Sequence, residues 1–470
     1  MKHWCTGFLI LFLVILLGAG TSWATDNEIR QVLQQLQREI EQLKQENALL
    51  KQQIETLQGK KIPAPKAQKA SFSSKGAYGS QPSSIDFYGF FKIDAVWQDS
   101  RAVGDNYVLF VLPNSGKNHQ QFTLNYRHSR FGFDFYKPYK GWSLFGKMEM
   151  DFYTHCNDEE TMPWNVNHSP LRARRVFLGV DKGTWQLLAG LDWLTISQLY
   201  PHTFNFPAGT FMGNPAYRMT QVRLTKLVSL NDVSKLKIQV AAEQPFGFPR
   251  ADSSYFIYDA DPSNEAGFPG IEARVAYETK INGKPALLAL WGHYSQEKYN
   301  TTHGGERADS YSLGLSSKIP LPITRKAFIL GEIWYGNNFD GYYSCGVGQG
   351  TRFLLQDGSY VTDLKKANSK NNPILSVETI EAVGGWLELE LFWTPKLVTH
   401  FGWGIDNPKN SDLAGVEKAR LQQQMYYANF MYRITRAFAY GMEYMYVYCD
   451  YPNNADGKLN RVMGSLFYFF

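Results

Sequence analysis

Several short stretches set charged side chains between large apolar ones at every second position. SRFGFDFY (129–136) puts Phe131, Phe133 and Phe135 on one face of a strand, with Arg130, Gly132, Asp134 and Tyr136 on the other. GKMEMDF (146–152) likewise opposes Lys147, Glu149 and Asp151 to Met148, Met150 and Phe152. In QVRLT (221–225), Arg223 stands against Val222 and Leu224, and Arg218 is the first charge after a long uncharged stretch. Strands apolar on one face and carrying both signs of charge on the other suit a water-filled lumen walled off from lipid. Their chemistry is selection by charge and diameter at a constriction, not bond making.

LRARRVFLGV (171–180) is the most basic of these strands and admits two registers. If Phe177 faces lipid, Arg172 and Arg174 point inward and Arg175 outward. If Val176, Leu178 and Val180 face lipid, Arg175 points inward and the other two outward. An arginine facing lipid near the midplane costs a few kcal/mol, which favours the first register. An arginine at the rim could instead meet lipopolysaccharide phosphates in either register.

Other chemistries find little support. The chain has no HExxH, no G-x-S-x-G elbow and no P-loop, and its GVGQG run (346–350) lacks the strand-to-helix setting of a dinucleotide site. His128 and Ser129 are adjacent and so point to opposite faces, which does not make a triad. No enzyme, cofactor or metal site is expected. The acidic CNDEE run (156–160) could attract a divalent cation but reads as a solvated loop.

The elements that must hold these residues follow from the rest of the 470 residues. A basic start, an apolar run from Phe8 to Leu17 and small residues at Ser22 and Ala24 predict a secretory signal peptide, residues 1–24. Residues 25–58 carry a heptad repeat with Ile29, Leu36, Leu43, Leu50 and Leu57 at d and Leu33, Ile40, Asn47 and Ile54 at a. Glu39 and Glu46 at g face Lys44 and Lys51 at e, as in a parallel coiled coil whose register Asn47 fixes. Residues 59–84, rich in Lys, Ser, Ala and Pro, read as a flexible tether, not a nucleic-acid site. The signal and this tether carry most of the net charge of +5.

From Ile85 to Phe470 the pattern is period two in sixteen segments, joined alternately by long links and tight turns such as KPYK (137–140) and NGK (282–284). The fold class expected is therefore all-β, a 16-stranded antiparallel transmembrane β-barrel preceded by an N-terminal α-helical coiled coil. A mean hydropathy of -0.34 argues against a bundle of membrane-spanning helices. The 15% aromatic content, mostly 28 Tyr and 31 Phe, fits girdles at the two membrane boundaries. The uncharged, proline-bearing stretch 194–217 is suited to fold inward and narrow the lumen. LNRVMGSLFYFF (459–470) reads as the closing strand, with Leu466, Tyr468 and Phe470 on its lipid face. Cys156, Cys345 and Cys449 remain after the signal, with no spacing that fixes a pairing.

FYGFFKIDA, SRFGF, LAGLDW and the C-terminal aromatic together resemble trimeric outer-membrane porins over residues 85–470. The coiled coil ahead of the barrel resembles the DcaP-like dicarboxylate porins. That resemblance implies a homotrimer in the outer membrane of a Gram-negative bacterium, an inward constriction loop, and passive uptake of small, often anionic solutes. Arg130, Arg172 and Arg174 match the family's basic lumen strands. The C-terminal aromatic matches the pattern read by the barrel-assembly machinery. Acidic Glu149, Asp151 and Asp192 depart from the basic pattern, and the a/d residues nominally favour two strands over three. The alternative role is a structural barrel tethered through its coiled coil in the periplasm, in contact with peptidoglycan.

Overall fold

The computed structural model describes residue 41, residues 74–75 and residues 82–470. Within the last range it omits 105–106, 117–118, 154–168, 207, 246–261, 323–325, 343–347, 363–371 and 453–454. The expected signal peptide, the coiled-coil positions Leu33 to Leu57 and the CNDEE run all lie outside the described residues.

Sixteen strands follow one another. They are β1 (Pro82–Gln98), β2 in two segments (Gln121–Asn125 and Arg130–Tyr139), β3 (Trp142–Asp151), β4 (Arg172–Lys182) and β5 (Trp185–Trp193). Next come β6 (Arg218–Ser229), β7 (Lys235–Glu243), β8 (Gly270–Ile281), β9 (Lys284–Thr301), β10 (Gly304–Pro320) and β11 (Ala327–Asn337). The last are β12 (Glu381–Phe392), β13 (Leu397–Pro408), β14 (Gln422–Arg433), β15 (Phe438–Asp450) and β16 (Gly457–Phe469). Each pairs antiparallel with its neighbours in sequence, and β16 returns to β1 in a ladder from Phe90↔Phe469 to Gln98↔Arg461. Closure leaves no sheet edge, so every strand finds partners for its N–H and C=O groups on both sides.

Outward residues are large and apolar: Phe91, Ile93 and Trp97 on β1, Leu178 on β4, Leu313 on β10, Ile333 on β11, Tyr440, Met442 and Tyr444 on β15. The alternate residues of the same strands turn inward and are buried, among them Lys92, Asp94, Glu332 and Glu443. Two of the tight turns have both residues at positive φ, Lys140–Gly141 (47° and 81°) and Asn282–Gly283 (51° and 74°). That is the turn whose twist matches a two-residue hairpin.

Three features were not legible as alternation. Residues 298–307, where alternation fades in the sequence, are the end of one long hairpin, with Thr301 paired to Gly304. Its tip packs through Tyr299 and Ala308 on a small sheet (Thr351–Leu355, Tyr360–Val361, Ile374–Thr379) inside the β11–β12 link. Sidedness set by neither lipid nor lumen gives no period-two signal there. The second and third features are bulges. β2 is interrupted at 126–129, where four residues face three of β1. β4 carries a register shift opposite Glu149/Met150. Each adds one residue and inverts which parity faces inward.

Candidate functional site

The inward faces of β2 to β6 form a wall of interleaved cations and carboxylates. Register pairs Arg130 with Asp151, Gly132 with Glu149 and Asp134 with Lys147. The Lys147 ammonium reaches Asp134 at 2.5 Å and donates to the Tyr88 hydroxyl at 2.8 Å, which in turn donates to Glu149 at 3.0 Å.

The bulge in β4 decides the basic strand. Val176 and Leu178 face outward and Phe177 lies opposite Lys147, on the inward side. Arg175 pairs with Glu149 on the inward side, and beyond the bulge Arg172 is again inward opposite Asp151. Arg172 bonds both oxygens of Asp151 (Nε 3.0 Å, Nη2 2.9 Å). Arg174 bridges Glu149 at 3.0 Å and Asp151 at 2.6 Å. The expectation that Phe177 faces lipid and Arg175 points outward is therefore corrected: neither strict register holds, and all three arginines turn inward. Strict alternation missed Arg175, which bonds Asp192 at 2.6 Å; Arg223 holds that carboxylate's other oxygen at 2.8 Å. Arg218 begins β6 and lays its guanidinium 4.5 Å from the centre of the Trp193 ring, with Arg174 5.8 Å from the same ring. The wall thus interleaves the cations Arg130, Lys147, Arg172, Arg174, Arg175, Arg218 and Arg223 with the carboxylates Asp134, Glu149, Asp151 and Asp192.

Depth divides these groups. The side chains of Arg130, Arg172 and Arg175 are 22%, 30% and 23% exposed, whereas Asp151 is fully buried and Arg174 is 2% exposed. Glu149 and Asp192 are buried as well. The acids that seem in the sequence to dilute the basic character lie beneath the arginines, and guanidinium groups form the surface above them. Asp134, paired to Lys147 two residues nearer the tight turn, is the exposed acid of the set.

Residues 194–217, between β5 and β6, fold onto the interior of the barrel. They contain no Asp, Glu, Lys or Arg, and they meet buried carboxylates with backbone and hydroxyl donors. Thr195 N donates to Glu272 at 2.6 Å and Ser197 Oγ to Glu332 at 2.9 Å. His202 N donates to Glu388 at 2.6 Å. Thr203 Oγ1, Phe204 N and Asn205 N all donate to Glu443, at 2.8, 2.6 and 3.2 Å. From β1, the buried Lys92 ammonium donates to the Phe204 carbonyl at 2.8 Å. Buried carboxylates need donors and buried amides need acceptors, so each satisfies the other. Burial works against a charge on His202, but the hydrogen bond and charge of Glu388 prevail and hold its pKa above the usual value. Gly213 has φ +99°, and a Cβ there would meet the carbonyl oxygens of Gly385 and Ile405. Only glycine lets the loop backbone lie this close to β12 and β13. At the other end of its reach, Phe206 lies 5.3 Å from Arg172 and 5.6 Å from Arg174. The loop thereby spans from the glutamate-bearing strands to the arginine wall.

At the seam, Phe470 exchanges both backbone hydrogen bonds with Gly89 at 3.1 Å, and its ring lies 5.2 Å from Phe87 and 5.1 Å from Phe91. Leu466 and Tyr468 share its outward face. Of Cys156, Cys345 and Cys449, the last is among the described residues; it is buried and free.

No protein-family model and no curated protein sequence matches the chain. Among solved structures, the outer membrane channel DcaP of Acinetobacter baumannii aligns with 84% of this chain and 99% of its own, at a TM-score of 0.62 and 18% identity. The chain has the fold of that channel. The anion-selective porin from Comamonas acidovorans (13% identity, 83% of this chain and 100% of its own, TM-score 0.48) is more remote. So is OmpT of Vibrio cholerae (12% identity, 83% and 99%, TM-score 0.47).

Proposed function

We propose that this chain is an outer-membrane porin of a Gram-negative bacterium, a passive channel and not an enzyme, whose constriction favours small anionic solutes such as dicarboxylates. The observation that carries the reading is the layering of the wall: guanidinium groups of Arg130, Arg172 and Arg175 at the surface, carboxylates beneath. A solute passing between Phe206 and this wall meets planar N–H donors suited to carboxylate oxygens. The outward apolar band and the closed hydrogen-bond ladder are what a lipid-spanning barrel requires. Reversal potential across a planar bilayer in a salt gradient tests the proposal. Anion preference that falls when Arg130, Arg172 and Arg175 are replaced together by alanine is the expected result. Cation preference in the unaltered protein, or indifference to the triple replacement, refutes it.

The remaining parts of the reading concern assembly. Residues 25–58 are proposed to form a parallel coiled coil in the periplasm that supports a homotrimer. Leu466, Tyr468 and Phe470 are proposed as the signal read by the barrel-assembly machinery. Removing residues 25–58 from the mature chain and measuring mass by light scattering in detergent tests the first; a trimer of unchanged stability overturns it.

A further inference from the structure

Away from the arginine wall, two histidines and a glutamate converge. His202 comes from the inward loop, Glu390 from β12 and His400 from β13. The imidazole rings stack at 4.7 Å with 17° between their planes. Both Nε2 atoms face the same oxygen, Glu390 Oε1, at 3.9 Å from His202 and 3.7 Å from His400. All three atoms lie within 4.8 Å of one another.

The other ring nitrogens are already engaged. His202 Nδ1 lies 2.6 Å from Glu388 Oε1, an acceptor. His400 Nδ1 lies 2.8 Å from Asn429 Oδ1. Asn429 Nδ2 donates to the His202 carbonyl at 2.8 Å and to Glu443 at 2.9 Å, which fixes Oδ1 as the accepting side. Both Nδ1 atoms are therefore engaged, which leaves Nε2 on each ring as the nitrogen able to take a metal, and with the rings near parallel His202 must turn for the two to converge. Imidazoles whose second nitrogen donates to a carboxylate or amide oxygen are oriented as metal ligands are. Lys318 holds Glu390 Oε2 at 2.9 Å and leaves Oε1 to the histidines.

We propose that His202, His400 and Glu390 form a site for a borderline transition-metal dication, Zn²⁺ or its analogues Co²⁺ and Ni²⁺. Two imidazoles and one carboxylate are a known zinc donor set with a fourth position left open. Bonds of about 2.0–2.1 Å at tetrahedral angles set donor atoms about 3.3 Å apart, so the cluster must contract by roughly 1.5 Å or less. The His202 side chain, 43% exposed and carried on a loop, is the member able to move, and its exposed side leaves the fourth position to water or a solute. A bound ion would tie the inward loop to β12 and β13.

The test uses the full mature chain without a histidine tag, in detergent at neutral pH. Cobalt titration followed by visible absorption is expected to show one equivalent with the intense bands of four-coordinate Co²⁺, displaced by Zn²⁺ and not by Mg²⁺. His202→Ala and His400→Ala should each weaken uptake at least tenfold, and Glu390→Gln should weaken it as well. Because His400 and Glu390 are buried, circular dichroism checks their folding, and the more exposed His202→Ala is the deciding variant. Absence of cobalt uptake, or equal affinity in His202→Ala, overturns the proposal. Metal uptake is read without reference to conductance, so its failure is distinct from failure of the channel reading.

Discussion

Glu443→Ala should release the tip of the inward loop while leaving the barrel closed. The carboxylate accepts from Thr203 Oγ1, Phe204 N and Asn205 N of the loop and from Asn429 Nδ2 of β14. Alanine leaves those donors without their acceptor and leaves Lys92, paired to Asp94 at 3.2 Å, without the second carboxylate near it. Removing one partner of a buried charged network costs about 3–5 kcal/mol. If that loss falls on docking of residues 203–205, the ratio of docked to released loop drops by roughly a hundred- to a few thousand-fold. The anchors at Glu272, Glu332 and Glu388 still hold the rest of the loop, so the loosening is local. Single-channel recording should show higher or noisier conductance, and a protease site engineered at residues 203–205 should become cleavable. Glu443→Gln, which keeps one accepting oxygen, should fall between the two. Unchanged conductance and protection in Glu443→Ala, with the variant folded, would show that the carboxylate does not hold the loop.

Asp192→Asn should leave Arg175 and Arg223 without their shared anion and shift reversal potential further toward anions; a shift toward cations refutes the layered-wall argument. Gly213→Ala places a Cβ against two carbonyl oxygens at a φ that L-residues avoid, and should weaken loop docking by about 1–3 kcal/mol. Faster amide exchange over residues 208–214 is the measurement, and native exchange rates count against it. Phe470→Ala removes the ring packed on Phe87 and Phe91 and should lower the yield of heat-modifiable barrel in the membrane fraction; equal yield argues against a role in closure. Burial pushes the Asp340 carboxyl, in the β11–β12 link, up to about 6 against the amide donors of Gly350, Gly341 and Gly348. The folded form then holds its proton more tightly than the unfolded one, whose pKa is about 3.9. Local stability is highest below about pH 4 and is lost as pH rises through about 6. Exchange protection at Gly348 and Gly350, corrected for intrinsic rates, should fall across that window, and flat protection refutes the assignment.

The sequence by itself determined the strand count, the alternation of links and turns, and the apolar face of nearly every strand. Each strand of such a barrel is bounded by lipid on one side, so its pattern is local and survives without knowledge of its neighbours. Arg130, Asp134, Lys147, Glu149, Asp151 and Arg223 could be assigned a face on that basis, because Phe, Met, Val and Leu alternate with them. Tertiary structure decided what alternation cannot carry. A bulge adds one residue and inverts parity, so only the pairing of β3 with β4 brings Arg172, Arg174 and Arg175 together and turns Phe177 inward. Depth is equally invisible in a sequence: Glu149, Asp151 and Asp192 count as much as arginines until their burial beneath them is seen. The inward glutamates Glu272, Glu332, Glu388 and Glu443 sit on four separate strands, and nothing in their spacing names residues 195–205 as their partner. They meet because closing the barrel brings distant strands around one loop that contains no Asp, Glu, Lys or Arg and whose amides need acceptors that its own sequence does not supply.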